Sequence, residues 1–127
     1  MKFIGREVER SKLHRILKKT GQQVALIFGR RRVGKSELIK QVLRETEIKS
    51  IFYECKQTTE MNNVDSLSAL ISEKYGFPRL SFRNMEELLD FMFQKSSEEK
   101  VVLVLDEYPY LRETVVGMDS ILQSLID

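Results

Sequence analysis

Disulfide chemistry is all but excluded by composition, because the 127 residues include one cysteine, Cys55. No internal bridge can form, and a reducing cytoplasm is the economical setting. Histidine is as scarce: His14 stands alone, nothing pairs it with Cys55 as a metal site, and both read as structural. Apolar runs are short. Val101 to Leu105 is among the longest, far below the roughly 20 residues that cross a bilayer. The N-terminal stretch "MKFIGREVERSK" turns charged after four residues, so it holds no signal-peptide core. Neither sign of charge dominates either. Twenty-one Lys and Arg against 19 Asp and Glu leave +2, and no whole-chain field demands DNA or a membrane as partner. No low-complexity linker and no internal repeat divides the chain.

What is present suits a soluble globular domain with a real core: 42% apolar and 31% charged residues. Residues 7–20 carry a rough helical stripe through Val8, Leu13, Ile16 and Leu17, closed by Gly21. "VALIF" (24–28) is a continuous apolar run, as in a strand buried on both faces. Leu38, Ile39, Val42 and Leu43 then recur at helical spacing, which predicts a helix from about Lys35 to Arg44. "SIFYEC" (50–55) is a second strand. Residues 62–76 read as a helix ended by Gly76 and Pro78, and 84–95 as another, opened by the capping-box pair Asn84 and Glu87. "VVLVL" (101–105) is the third strand. "SSEEK" (96–100) reads as a solvated turn, and Ile121, Leu122, Leu125 and Ile126 open a last amphipathic helix. Strands alternating with helices predict a parallel sheet with helices on both faces, a three-layer α/β fold.

Two motifs carry chemistry. The pattern Gly29-x-x-x-x-Gly34-Lys35-Ser36 follows a strand and opens a helix, the context a phosphate loop requires. Glycines allow consecutive backbone N–H groups to curl around an anion, and the helix N-terminus adds unpaired donors and partial positive charge. Lys35 is a mobile cation for β- and γ-phosphates, and the Ser36 hydroxyl suits Mg²⁺. The expected nucleotide-contacting set is Gly29, Arg30, Arg31, Arg32, Val33, Gly34, Lys35, Ser36 and Glu37. The second motif is an apolar strand closing on Asp106-Glu107, 71 residues after Lys35. Asp106 would face the metal through its water shell, and Glu107 would orient and deprotonate an attacking water. Either motif alone could be a glycine turn or a solvated acidic turn; together they point to a nucleoside triphosphate.

"FIGREVERSKL", "LIFGRRRVGKSELI" and "VVLVLDEYPYL", in that order, resemble the prokaryotic, mainly archaeal-type ATPases near the AAA+ and STAND branches of P-loop NTPases. The resemblance spans nearly the whole chain. It implies ATP and Mg²⁺ as ligands, with Ile4, Gly5 and Arg6 beside adenine; the alternative makes "FIG" a hydrophobic staple for the first helix. It also implies that Pro109 ends the acidic strand. Members of the family continue with a sensor strand, a further strand, a helical lid and often an effector domain. Residues 1–127 are therefore expected to be the N-terminal portion of such a domain, with lead-in 1–20 and core 24–127, holding the first three strands of a 5-1-4-3-2 sheet. The fourth strand of that order lies between "VALIF" and "VVLVL". The expectation is a gap there and poor stability in isolation, unless the two strands re-pair or a partner subunit lends one.

Arg30, Arg31 and Arg32 are compatible with nucleotide attraction, a neighbouring subunit or nucleic acid, with solvated loop residues as the default; nothing else supports nucleic acid. Tyr53, Tyr108, Tyr110, Phe82, Phe91 and Phe93 read as core or pocket wall. The leading function is Mg²⁺-dependent ATP hydrolysis that drives a conformational change in a larger protein, with Lys35 and Glu107 as the catalytic pair. The alternative is a switch that binds ATP without turning it over. A phosphotransferase is disfavoured by Glu107, and a GTPase by the absence of Asn-Lys-x-Asp.

Overall fold

The computed structural model describes residues 2–4, 24–29, 40–41, 43–45, 50–78, 80–95 and 101–126. The expected helix 7–20, His14, Gly21 and "SSEEK" lie outside them. Strands β1 (Lys2–Ile4), β2 (Val24–Gly29), β3 (Ser50–Glu54) and β4 (Val101–Asp106) and helices α1 (Glu60–Tyr75), α2 (Met85–Lys95), α3 (Pro109–Thr114) and α4 (Met118–Ile126) follow one another along the chain, with β4 between α2 and α3. Helical residues 40–41 and 43–45 belong to the helix expected after the glycine turn.

All the described strand pairs are parallel, in the order β1-β2-β4-β3. The expected gap beside β2 is not there. β2 pairs directly with β4 over six residues, from Val24↔Val101 to Gly29↔Asp106. Two short apolar strands with unpaired backbone along facing edges satisfy it by closing to the ladder spacing of about 4.8 Å. Of the two outcomes that would relieve the gap, re-pairing is the one observed. A further strand, β1, pairs with β2 where only a lead-in was expected.

Period-two alternation decides what each face of the sheet buries. Ile51, Tyr53, Leu103 and Leu105 join one continuous core with Val64, Leu67 and Ile71 of α1, Leu88 and Met92 of α2, Leu111 of α3 and Leu122 of α4. Val102 and Val104, also buried, lie outside that cluster and occupy the other face. There the Lys40 ammonium sits 4.8 Å from the centre of the Phe52 ring, which sets helical residue Lys40 against the second face. The described elements thus form a parallel sheet with helices packed against it, an α/β fold.

Helix boundaries moved where side chains found better caps than the apolar pattern suggested. α1 starts at Glu60, not 62, because the Thr59 hydroxyl accepts from the Asn62 N–H at 3.1 Å. Gly76 closes it as expected, in the left-handed region at φ 70, and the Phe77 N–H reaches back to the Ser72 carbonyl at 3.1 Å. At α2, Asn84 Oδ1 accepts from the Glu87 N–H at 2.8 Å, half of the expected capping box. The other half is replaced: the Glu87 carboxylate turns to Arg83, accepting from its Nε at 2.7 Å. Glu60 instead takes the Met85 N–H at 3.0 Å, so one helix caps the next. Pro109 does not end the strand, which stops at Asp106; it is the first residue of α3, where a missing N–H costs nothing.

The core leaves one small inefficiency. Ser68 Oγ is buried on α1 and has no hydrogen-bond partner among the described residues. Ser68→Ala removes that unmet group and improves helix propensity, and should stabilise the fold by about 0.5–1 kcal/mol. A lower urea midpoint in the alanine variant would contradict the reading.

Candidate functional site

Parallel strands end on a common edge, and open α/β sheets bind ligands outside the carboxyl ends of their strands. That edge gathers part of the expected site. Gly29, the last residue of β2, is the register partner of Asp106, the last residue of β4. Asp106 is in turn partnered by Glu54, the last residue of β3. Three strand ends therefore stand in a row, about 4.8 Å from one to the next. Ile4 ends β1 opposite Ile27, two residues short of Gly29. Gly5, Arg6, Arg30, Arg31, Arg32, Val33, Gly34, Lys35, Ser36 and Glu37 lie outside the described residues.

Asp106 is 9% exposed, with Asn63 and Ser68 the other buried polar residues described. It shares the parity of Val102 and Val104, so its side chain leaves β4 on the face opposite the main core cluster. Its own carbonyl accepts the Cys55 N–H at 2.8 Å, extending the β3–β4 ladder past Glu54. The Cys55 thiol is held well above its ordinary range, first by burial and then by the negative charge of Asp106. It stays protonated and unreactive in the core, as a structural cysteine should.

Glu107 follows directly and is the described non-glycine residue with positive φ, at 58°. A side chain in the left-handed region costs about 1–2 kcal/mol, and such residues persist where the surroundings over-determine them. The surroundings here are explicit. Upstream, β4 is locked between two strands. Downstream, the Glu107 carbonyl accepts from Tyr110 at 3.1 Å, and the Tyr108 carbonyl accepts from Leu111 at 2.9 Å and Arg112 at 3.2 Å. The buried Tyr108 ring points its hydroxyl at Asp119 Oδ1, 2.5 Å away in the first turn of α4. Arg112 completes the group, 3.3 Å from the same carboxylate and 5.2 Å from the centre of the tyrosine ring. Burial first, and the Asp119 hydrogen bond second, push the Tyr108 hydroxyl far above the usual tyrosine range, so it acts as a donor.

The loop after β3 is pinned from the other side. Asn63 is fully buried; its Nδ2 donates to the Lys56 carbonyl and its Oδ1 accepts from the Lys56 N–H, both at 3.0 Å. The Tyr53 hydroxyl donates to the same Oδ1. Burial, more than the nearby Cys55, pushes that hydroxyl up to about 12. Tyr53, Tyr108 and Phe82 are core residues, and Phe91 and Tyr110 pack against them, as expected; Phe93 is half-buried.

Local sequence signals do not single out Glu54, Asn63, or the bonds that join Tyr108 to Arg112 and Asp119. Glu54 became visible through register, which no local pattern specifies. For Asn63, two polar residues at the start of an apolar helical stripe were the available signal. Tyr108 of the "DEYPYL" stretch is the core residue expected, but its hydroxyl bond to Asp119 joins residues eleven apart, which no local pattern specifies.

A family model described as an ATPase domain predominantly from Archaea matches residues 3–127. Neither a curated protein nor a solved structure matches the chain. Among the described residues, no helix is long and apolar enough to cross a membrane.

Proposed function

Since this chain belongs to the family of ATPase domains found predominantly in Archaea, we propose that it binds ATP at the carboxyl edge of the sheet and hydrolyses it with Mg²⁺. Membership carries a nucleotide-binding, ATPase-type function; the hydrolytic assignment and the residue roles are the proposal. The observation that supports it best is the pairing of Gly29 with Asp106. That register sets the first glycine of the phosphate-loop pattern one strand away from a shielded carboxylate, with Glu107 next in the chain.

The donor set fits Mg²⁺. The ion takes one or two protein oxygens and keeps its remaining positions for phosphate and water. Asp106 offers a hard carboxylate oxygen, and Ser36 a hydroxyl by its place in the motif. When bound, Mg²⁺ would offset charge on the β- and γ-phosphates.

The chain's own groups would do the rest. Backbone N–H groups from Gly29 to Ser36 would cradle the phosphates, with Lys35 neutralising the charge that develops between β and γ. The Glu107 carboxylate would take a proton from water as its oxygen attacks the γ-phosphorus in line with the departing ADP. Arg30, Arg31 and Arg32 would raise the local potential for a polyanion. Ile4, Gly5 and Arg6 are proposed to flank the base, since β1 lies directly beside β2. The energy released would drive a conformational change in whatever the domain is joined to.

Phosphate release from ATP by the full chain tests the reading. Turnover should depend on added Mg²⁺ and stop on chelation, with weaker activity on GTP. ATP binding without any release at saturating Mg²⁺ would favour the non-hydrolysing switch. Turnover that persists after chelation would remove Asp106 and Ser36 from their roles.

A further inference from the structure

We infer that Tyr108 is a positioning residue for Glu107: its hydroxyl, held by Asp119 at the start of α4, fixes the left-handed turn from which the Glu107 side chain departs. The inference rests on the reading that Glu107 activates water.

Three observations converge on it. First, Glu107 sits at φ 58, where a glutamate is not placed by its own preference. Some neighbouring contact must hold it there. Second, Tyr108 anchors the downstream side of the turn through both its backbone and its side chain. Its backbone, at φ −49 and ψ −35, starts α3 by accepting the Leu111 and Arg112 N–H groups, and no side-chain cap assists that start. Its side chain, 1% exposed, reaches across eleven positions of sequence to Asp119 at 2.5 Å. Third, Asp119 is itself restrained, because Arg112 on α3 donates to it at 3.3 Å. The hydroxyl, the carboxylate and the guanidinium thus lock α3 to α4 and hold the residue after Glu107 in one place. Without the hydroxyl the ring remains buried, but the lock on the turn is lost and the peptide at 107 can relax toward φ below zero.

A general base must stay within hydrogen-bond reach of the water it deprotonates, and a misplacement near 1 Å can cost about 100-fold in rate. Loss of the Tyr108 hydroxyl should therefore reduce kcat by about 10- to 100-fold. Nucleotide binding, which depends on the phosphate loop, should not change.

The test compares Tyr108→Phe, Asp119→Ala, Asp119→Asn and Glu107→Gln in the full chain, with ATP affinity measured beside steady-state turnover. The inference expects Tyr108→Phe and Asp119→Ala to lower kcat with unchanged ATP affinity. Asp119→Asn, which keeps an acceptor for the hydroxyl, should retain more turnover than Asp119→Ala. In a Glu107→Gln background, Tyr108→Phe should add nothing, because the group it positions is already gone. Should Tyr108→Phe fail to fold, Asp119→Ala carries the same comparison at an exposed position. Wild-type kcat in Tyr108→Phe alongside an inactive Glu107→Gln overturns the inference and leaves the base reading intact. The same fold-loss in both backgrounds also overturns it, since that marks an effect independent of Glu107. Wild-type kcat in Glu107→Gln removes the base reading and this inference together.

Discussion

Glu107→Gln is expected to reduce ATP turnover by about 10²–10⁴-fold, the range for loss of a general base, with ATP affinity within about twofold of the parent. Glutamine matches glutamate in size and in its tolerance of the φ 58 turn, so the fold should be unaffected. What is lost is the ability to accept a proton. Lys35→Ala supplies the contrast. It removes a cation that would sit on the phosphates, and breaking such a charge pair costs about 2–5 kcal/mol, roughly 30-fold or more in affinity. One substitution should separate chemistry from binding, and the other should lose binding itself. Isothermal titration with ATP and a phosphate-release assay on both variants provide the measurement. Parallel loss of affinity and turnover in Glu107→Gln would contradict its role as base.

Asn63→Leu is expected to destabilise the domain by about 3 kcal/mol, on the scale of 1–3 kcal/mol for each buried polar group left unpaired. Leucine keeps the branched skeleton of asparagine but is bulkier, so some overpacking at this fully buried position adds to the loss. The hydrogen bonds predict much more. The Lys56 N–H, the Lys56 carbonyl and the Tyr53 hydroxyl each lose their partner on Asn63. Partial solvent access at Lys56 softens the cost, which is why the estimate stays near the lower end of the sum. A stability of about 5–15 kcal/mol is usual for a domain of this kind, so the loss would be large. It would also be felt at the site, because the loop that Asn63 pins begins at Cys55, whose N–H is bonded to the Asp106 carbonyl. Urea denaturation of Asn63→Leu, Tyr53→Phe and the double variant gives both the cost and the coupling. A change below about 0.5 kcal/mol in Asn63→Leu, the size of an ordinary surface substitution, would show that the network contributes nothing.

The parts of the fold that the amino-acid order determined alone are those written in local chemistry. Apolar runs over 24–28, 50–55 and 101–105 became strands because short β-branched and apolar segments bounded by polar residues have few other solutions. Gly76 stopped α1 because a left-handed residue was needed there and glycine adopts it without strain. Asn84 capped α2 for an equally local reason. The candidate site was drawn from the same kind of local pattern: spacing alone singled out the glycine turn and the acidic strand end.

Only the tertiary structure decided how the strands neighbour one another. Resemblance implied a vacant position beside β2, yet β2 and β4 pair along six residues, since an unsatisfied ladder costs more than a changed order. That choice brings Gly29 beside Asp106 and sets Glu54 on the other side. The tertiary structure also decided the caps that pass between helices, from Glu60 to Met85, and the clamp from Tyr108 to Asp119. These contacts join residues distant in sequence, and no periodicity encodes them. Local order picked out the proposed phosphate-loop pattern and the acidic strand end; packing decided that Gly29 stands beside Asp106 and that Glu107 takes a left-handed turn after it.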